Sequence, residues 1–209
     1  KTFPKPKHTV IRRTFNPGES CEVDFGSLGV MYDAQSGCNH KIWFFSLRLN
    51  WSRKAYRELV TNQAADTFFQ CHIHAFHFFG GIPHKVVCDN LKAAVIKAAF
   101  YDPQVNRSYR MLAEHYDFLI SACRPGSPEH KGGVEKDMDY VKRTFMPLFL
   151  EQQKQKGRTT PDLLECKKAL ERWGRDVDDH HTVKYVGFSP ADLFKEEQPF
   201  LHPLPRTRW

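Results

Sequence analysis

Three carboxylates in this chain stand where they could share one reaction. Asp24 lies inside a strand-like run, Glu22-Val-Asp-Phe-Gly26. Asp89 follows a short apolar run, Val86-Val-Cys-Asp-Asn-Leu-Lys92. Glu135 opens a helix-like segment after a glycine pair, His130-Lys-Gly-Gly-Val-Glu-Lys-Asp137. The intervals are 65 and 46 positions. Carboxylates crowded together repel one another and need a divalent cation between them, and hard oxygen ligands suit Mg2+ or Mn2+. Two such ions roughly 3.5–4 Å apart can activate a water or hydroxyl nucleophile. They can also stabilise the leaving 3′ oxygen of a phosphodiester during an in-line displacement. Each residue also has an ordinary alternative. Asp24 can be the solvent-facing member of a half-buried strand, Asp89 can start a turn with Asn90, and Glu135 can belong to a solvated helix edge.

The elements that must bring these residues together follow from periodicity. Cys21, Val23 and Phe25 alternate with Glu22 and Asp24, as in a half-buried strand, and residues 41–49 are rich in β-formers. Residues 51–60 supply a third strand, although 54–60 also allow a helix. Residues 64–79 carry a helical apolar face (Phe68, Cys71, Ala75, Phe78, Phe79) that stops at Gly80-Gly81. A short strand over 83–88 delivers Asp89. A helix over 107–118 and a strand over 119–123 follow. After the Pro- and Gly-rich stretch 124–133, Val134, Met138, Val141 and Phe145 form one apolar stripe at about 100° per residue. Glu135 and Lys142 share an edge of that stripe, Asp139 sits further round, and Asp137 falls on the opposite flank. This helix is expected to run on toward Leu150. A polar stretch over 152–160 reads as a linker or exposed turn. A helix over 161–178 should bury Leu164, Ala169, Leu170 and Trp173, and Ser189 caps a short helix with Pro190 at its first position. The order β-β-β-α-β-α-β-α-α predicts an α/β fold, a mixed sheet with helices on both faces. In such a sheet the fourth strand can pair beside the first, bringing Asp24 and Asp89 within a few ångströms.

Composition narrows the function classes. The 209 residues are 41% hydrophobic with 17 Phe, enough for a sizeable core, and the net charge of +7 favours a polyanionic partner. No apolar run reaches the ~18 residues of a membrane span. Six scattered cysteines without a CxxC pair suggest thiols in a reducing compartment. Cys71, His72, His74 and His77 invite a zinc reading, but no second ligand pair stands at finger-like spacing. Nothing orients Cys123 and His130 as a thiol nucleophile and its base. Lys131, Lys136, Arg143, Lys154, Lys156 and Arg158 flank the loop and helix, a solvated face or, beside a carboxylate metal site, phosphate contacts.

Taken in this order and spacing, the segments 17–26, 79–95, 130–143 and 187–194 resemble the DDE transposase/retroviral-integrase superfamily. The resemblance is nearest to the IstA-type transposases of bacterial insertion sequences, and it covers roughly residues 15–205. It implies an RNase H-like, integrase-core fold with a mixed five-stranded sheet. It also implies Asp24, Asp89 and Glu135 as catalytic residues and ligands of two Mg2+ (or Mn2+) ions. Lys142, two turns after Glu135, takes the place of a basic residue that contacts DNA phosphate. Lys131, Lys136, Arg143, Lys92 and Arg124 are further candidates for DNA contact. The implied partners are transposon-end and target DNA, an AAA+ ATPase helper, and further copies of the chain assembled on DNA. The implied location is the cytoplasm, at the bacterial nucleoid.

The expected division is a basic lead-in (1–18), the catalytic core (19–150), a helical extension (151–198) and a Pro-rich tail (199–209). Neither a helix-turn-helix region nor a β-barrel is visible, as expected for an excised catalytic fragment. Two other functions fit the same fold: a nuclease that hydrolyses without joining, and a non-catalytic nucleic-acid-binding or assembly module. Strand-transfer products separate the first from a transposase, and the presence of all three carboxylates argues against the second. The Gly132-Gly133 entry leaves the following helix free to move, so Glu135 is expected to be the least well placed of the three without DNA.

Overall fold

A computed structural model describes residues 14–88, 103–122, 137–183 and 187–209. Five strands form one sheet: β1 (Ser20–Asp33), β2 (Cys38–Leu49), β3 (Ala55–Val60), β4 (Lys85–Cys88) and β5 (Leu119–Ala122), in the spatial order β3-β2-β1-β4-β5. The first three are antiparallel neighbours, and β4 and β5 continue the sheet in parallel. Residues 55–60 are therefore a strand. Six helices accompany the sheet among the described residues. They are α1 (Ala65–Phe79), α2 (Pro103–Tyr116), α3 (Asp137–Thr144), α4 (Met146–Gln155), α5 (Leu163–Asp176) and α6 (Pro190–Glu197).

Strand periodicity decides which helices cover which face. Cys21, Val23 and Phe25 of β1, with Phe45, Leu47 and Leu49 of β2, pack against Phe68, Phe69, Phe76 and Phe79 of α1 and Leu112 of α2. Ile42, Phe44 and Leu59 point the other way, toward Val141 of α3, Phe145 between the helices, Phe149 of α4, and Leu163, Cys166 and Leu170 of α5. Met31 joins this second core although it has the same parity as Phe25. The pairing register slips between Ser27 and Gly29, and one extra residue reverses which side chains face in. The outcome is the RNase H-like class: a mixed five-stranded sheet with helices on both faces.

Local chemistry sets the helix ends. Gly80 terminates α1 in the left-handed region (φ 68°), and Ser189 caps α6 by accepting the Asp192 amide. Some sequence expectations need correction, and Phe78, expected on the apolar face of α1, is exposed. The helix does not run unbroken toward Leu150, because α3 ends at Thr144 and α4 begins at Met146. Pro147 has no N–H to offer the Arg143 carbonyl, and its ring crowds that carbonyl. Residues 146–155, part of which read as a linker, are thus helical. In α5, capped by Asp162, Leu164 is exposed and Leu163 and Cys166 occupy the core instead.

The last segment closes over the end of the sheet where β1 and β4 begin. Ile82 pairs with His202, and Trp209 packs edge-on against Phe69. Gly18 and Gly81 permit this approach, since a Cβ would lie 2.5 Å from the Phe200 carbonyl oxygen at Gly18 and 2.6 Å from Leu201 Cβ at Gly81. Glu197, fully buried, accepts the Gly18 amide (2.9 Å) and the Ser52 amide (3.0 Å). Among the described residues no helix is long and apolar enough to cross a membrane. Glu197→Ala would strand two buried amides and is expected to lower stability by about 2–4 kcal/mol in urea unfolding, with Glu197→Gln losing less because one acceptor remains.

Candidate functional site

The catalytic candidates differ in what the structure describes. Asp24 lies in β1, directly opposite Ser46 of β2. Asp89 and Glu135, with Lys92, Arg124, Lys131 and Lys136, lie outside the described residues, and so does the expectation about the placement of Glu135. The strand pairing needed to join the first two is present. β1 and β4 run parallel with Val23 level with Cys88. Asp24 is the next residue of β1 after this matched pair, and Asp89 is the next residue of the chain after Cys88.

The helix α3 is held by the first of its described residues. Asp137 is buried, as is the Arg57 side chain. Arg57 donates from Nε to Asp137 Oδ2 and from Nη2 to Oδ1, both at 2.8 Å. Ser46 Oγ donates to Oδ2 at 2.6 Å, and Arg48 Nη1 stands 3.8 Å from Oδ1. Burial alone would push this carboxyl up. The Arg57 charge and hydrogen bonds, with Arg48 and the Ser46 hydroxyl, outweigh it and hold the group down at about 2. Ser46 is opposite Asp24 on one side and Arg57 on the other. One row across three strands thus contains position 24 and two of the residues that grip α3. Met138 lies over Gly26, where a Cβ would sit 2.2 Å from the methionine Cε. Val141 and Phe145 are buried, as the apolar stripe requires, while Lys142 and Arg143 are exposed on the same helix.

Arg57 is itself held from behind. Its Nη1 lies 2.9 Å from Asp178 Oδ2, and its guanidinium stacks 5.2 Å from the Trp173 ring centroid. The Asp178 carboxylate also faces Tyr140 of α3, and burial together with this charge holds the phenol above the usual range. The turn after α5 therefore braces the same helix. Sequence reading assigned Asp137 to an uninvolved flank and passed over Arg57. One signal was available. Arg57 shares the parity of Leu59 in β3, so it points into an apolar core, and a cation there requires a carboxylate partner.

On the opposite face a buried polar chain supports the end of β4. His72 Nδ1 is 2.8 Å from the Phe68 carbonyl, which can only accept, so the proton is on Nδ1. Burial holds this imidazole neutral, near a pKa of about 4. Its Nε2 then accepts from Tyr109 Oη at 3.2 Å, and the phenol oxygen accepts from Cys88 Sγ at 3.7 Å. The helix histidines diverge rather than converge. His72 is in the core, His74 pairs with Glu58 at 3.0 Å, and His77 is exposed.

Comparison with known proteins now bears on these features. The integrase core domain family matches residues 16–128, more than half of the chain. The chain belongs to this family. A candidate transposase of Mycobacterium tuberculosis is 34% identical over 199 residues, covering 94% of this chain and 46% of that protein. The transposase for insertion sequence element IS21 of Pseudomonas aeruginosa is 30% identical over 203 residues, 97% of this chain and 49% of that protein. The chain thus spans about half the length of these relatives. The HTLV-2 integrase catalytic core domain, solved in complex with magnesium in a dimeric form, superposes with a TM-score of 0.57 at 11% identity. That match covers 87% of this chain and 99% of the other. It is a likeness of fold. Among the described residues no three His, Cys, Asp or Glu side chains gather to hold a metal ion. Three carboxylates, two of them beyond those residues, are a donor set that suits a hard divalent cation.

Two outcomes follow from the buried groups. The Asp137 carboxyl titrates lower in the folded state than in the unfolded chain, so the folded state binds fewer protons on acidification. Its contribution, about 2 kcal/mol, is complete above roughly pH 4 and is lost as the pH falls toward 2. Asp137→Asn is expected to remove that part of the acid dependence in unfolding titrations. Tyr109→Phe leaves His72 Nε2 without a donor and should cost about 1–3 kcal/mol in thermal unfolding without loss of the fold.

Proposed function

We propose that this integrase core is the catalytic core of an IstA-type DDE transposase, with Asp24, Asp89 and Glu135 as its active-site carboxylates. The observation that carries the reading is the parallel β1–β4 ladder, matched at Val23 and Cys88, directly ahead of the two aspartates. Covalent geometry keeps each aspartate Cα about 3.8 Å from its matched neighbour. Adjacent strands are about 4.8 Å apart. Asp137, two residues after Glu135 in the chain, is bonded to the residue opposite Asp24. The transposase relatives, matched over nearly all of this chain, favour the same reading.

The three carboxylates would hold two Mg2+ or Mn2+ ions. When bound, these supply activation of the attacking oxygen and charge for the departing one. Water attacks the phosphorus at the transposon end, the 3′ oxygen leaves, and a free 3′-OH results. That hydroxyl then attacks a target phosphodiester and displaces the target 3′ oxygen. No covalent bond between protein and DNA forms. Lys142 and Arg143, exposed on α3, would contact the phosphates that flank the reacting bond, joined by Lys131, Lys136, Lys92 and Arg124. An AAA+ ATPase helper and further copies of the chain on paired ends complete the proposed assembly, which works at the bacterial nucleoid.

In the full-length protein supplied with its helper and a plasmid target, Asp89→Asn is expected to lower joining of transposon ends at least about 100-fold while DNA binding persists. Joining at the wild-type rate would sink the assignment. Cut ends without any joined product from the unaltered protein would instead identify a nuclease.

A further inference from the structure

An apolar stripe alone cannot fix a helix along its own axis. Burial of Val141 and Phe145 is non-directional, and Met138 over Gly26 is a flexible contact. Either tolerates a shift of the helix along its axis. The Arg57–Asp137 fork does not, because two parallel hydrogen bonds fix position and orientation together. Ser46 adds a third bond from the same row of the sheet, and Asp178 and Trp173 keep Arg57 from following the helix. Replacing a buried ion pair by apolar packing of similar volume is often neutral or stabilising, so what this pair adds is a fixed geometry.

We infer that Asp137, gripped by Arg57 and Ser46, is a positioning residue that sets Glu135 against position 24. The inference rests on the active-site reading above. Two residues of chain span at most about 7 Å, so anchoring Asp137 confines the backbone of Glu135 to that radius. Ser46 supplies the reference point, since the same residue that bonds Asp137 is the ladder partner of Asp24. The strut also extends to the C-terminal part of the chain. Asp178 and Trp173 hold the far side of Arg57, so the segment after residue 150 contributes to where the third carboxylate stands.

The test uses the full-length protein with transposon-end DNA. Binding of Mn2+ is followed by the electron paramagnetic resonance signal of the free ion, cleavage by kcat and KM for DNA, and folding by thermal melting. Asp137→Asn should lower kcat about 10-fold or more, raise the half-saturating Mn2+ concentration about 10-fold, and leave KM for DNA within about two-fold. Ser46→Ala removes a single hydrogen bond and should stay folded, moving the Mn2+ midpoint and kcat in the same direction by a few-fold. Wild-type Mn2+ binding and kcat per folded molecule in Asp137→Asn would overturn the inference, even with a lowered melting temperature. Should Asp137→Asn fail to fold, an unchanged Mn2+ midpoint in Ser46→Ala overturns it equally. Glu135→Gln separates the two levels. Retained cleavage there defeats the active-site reading itself, whereas a dead Glu135→Gln beside a normal Asp137→Asn defeats only the strut.

Discussion

The structure depends on one buried charge pair. Arg57 enters the second core from an edge strand, on the face that also carries Leu59, where a lone cation would be intolerable. Asp137 of α3 neutralises it. Neither residue suits this place without the other. Together they fix how α3 stands relative to the sheet.

Other features of the fold keep that pair in place. The slip between Ser27 and Gly29 lets one long strand serve both cores, odd positions facing α1 and α2 before it and α3 to α5 after it. β2, buried on both faces, forms the ladder that puts Ser46 between Asp24 and Arg57. Trp173 and Asp178 back the guanidinium, and Lys54 pairs with Asp179 one residue on. The helical segment after residue 150 is thus packed against the same sheet as the strands before it. Its links to the sheet are ionic as well as apolar.

Much of this was legible in the chain. Alternation at Cys21, Val23 and Phe25 gave the first strand, Gly80 and Ser189 marked helix ends, and the β-β-β-α-β order implied a mixed sheet. The failures share a cause: sequence periodicity sees one element at a time. Asp137 looked like a flank residue because its partner is 80 positions away on another element. Leu163 and Leu164 are neighbours, and only the packing of α5 on the sheet selects the first. The break before Pro147 was readable from chemistry and was missed because the apolar stripe continues across it. For the site, motif spacing named three carboxylates. The structure adds the ladder beside Asp24 and the anchor after Glu135.

The most direct measurement is a crystal structure of the integrase core with transposon-end DNA, soaked in Mn2+, with anomalous scattering used to locate the metal. Two anomalous peaks about 3.5–4 Å apart, each within ligand distance of carboxylates from Asp24, Asp89 and Glu135, are the expected result. A manganese site formed by other residues, or Glu135 turned away while Asp24 and Asp89 bind metal on DNA, would contradict convergence of the three.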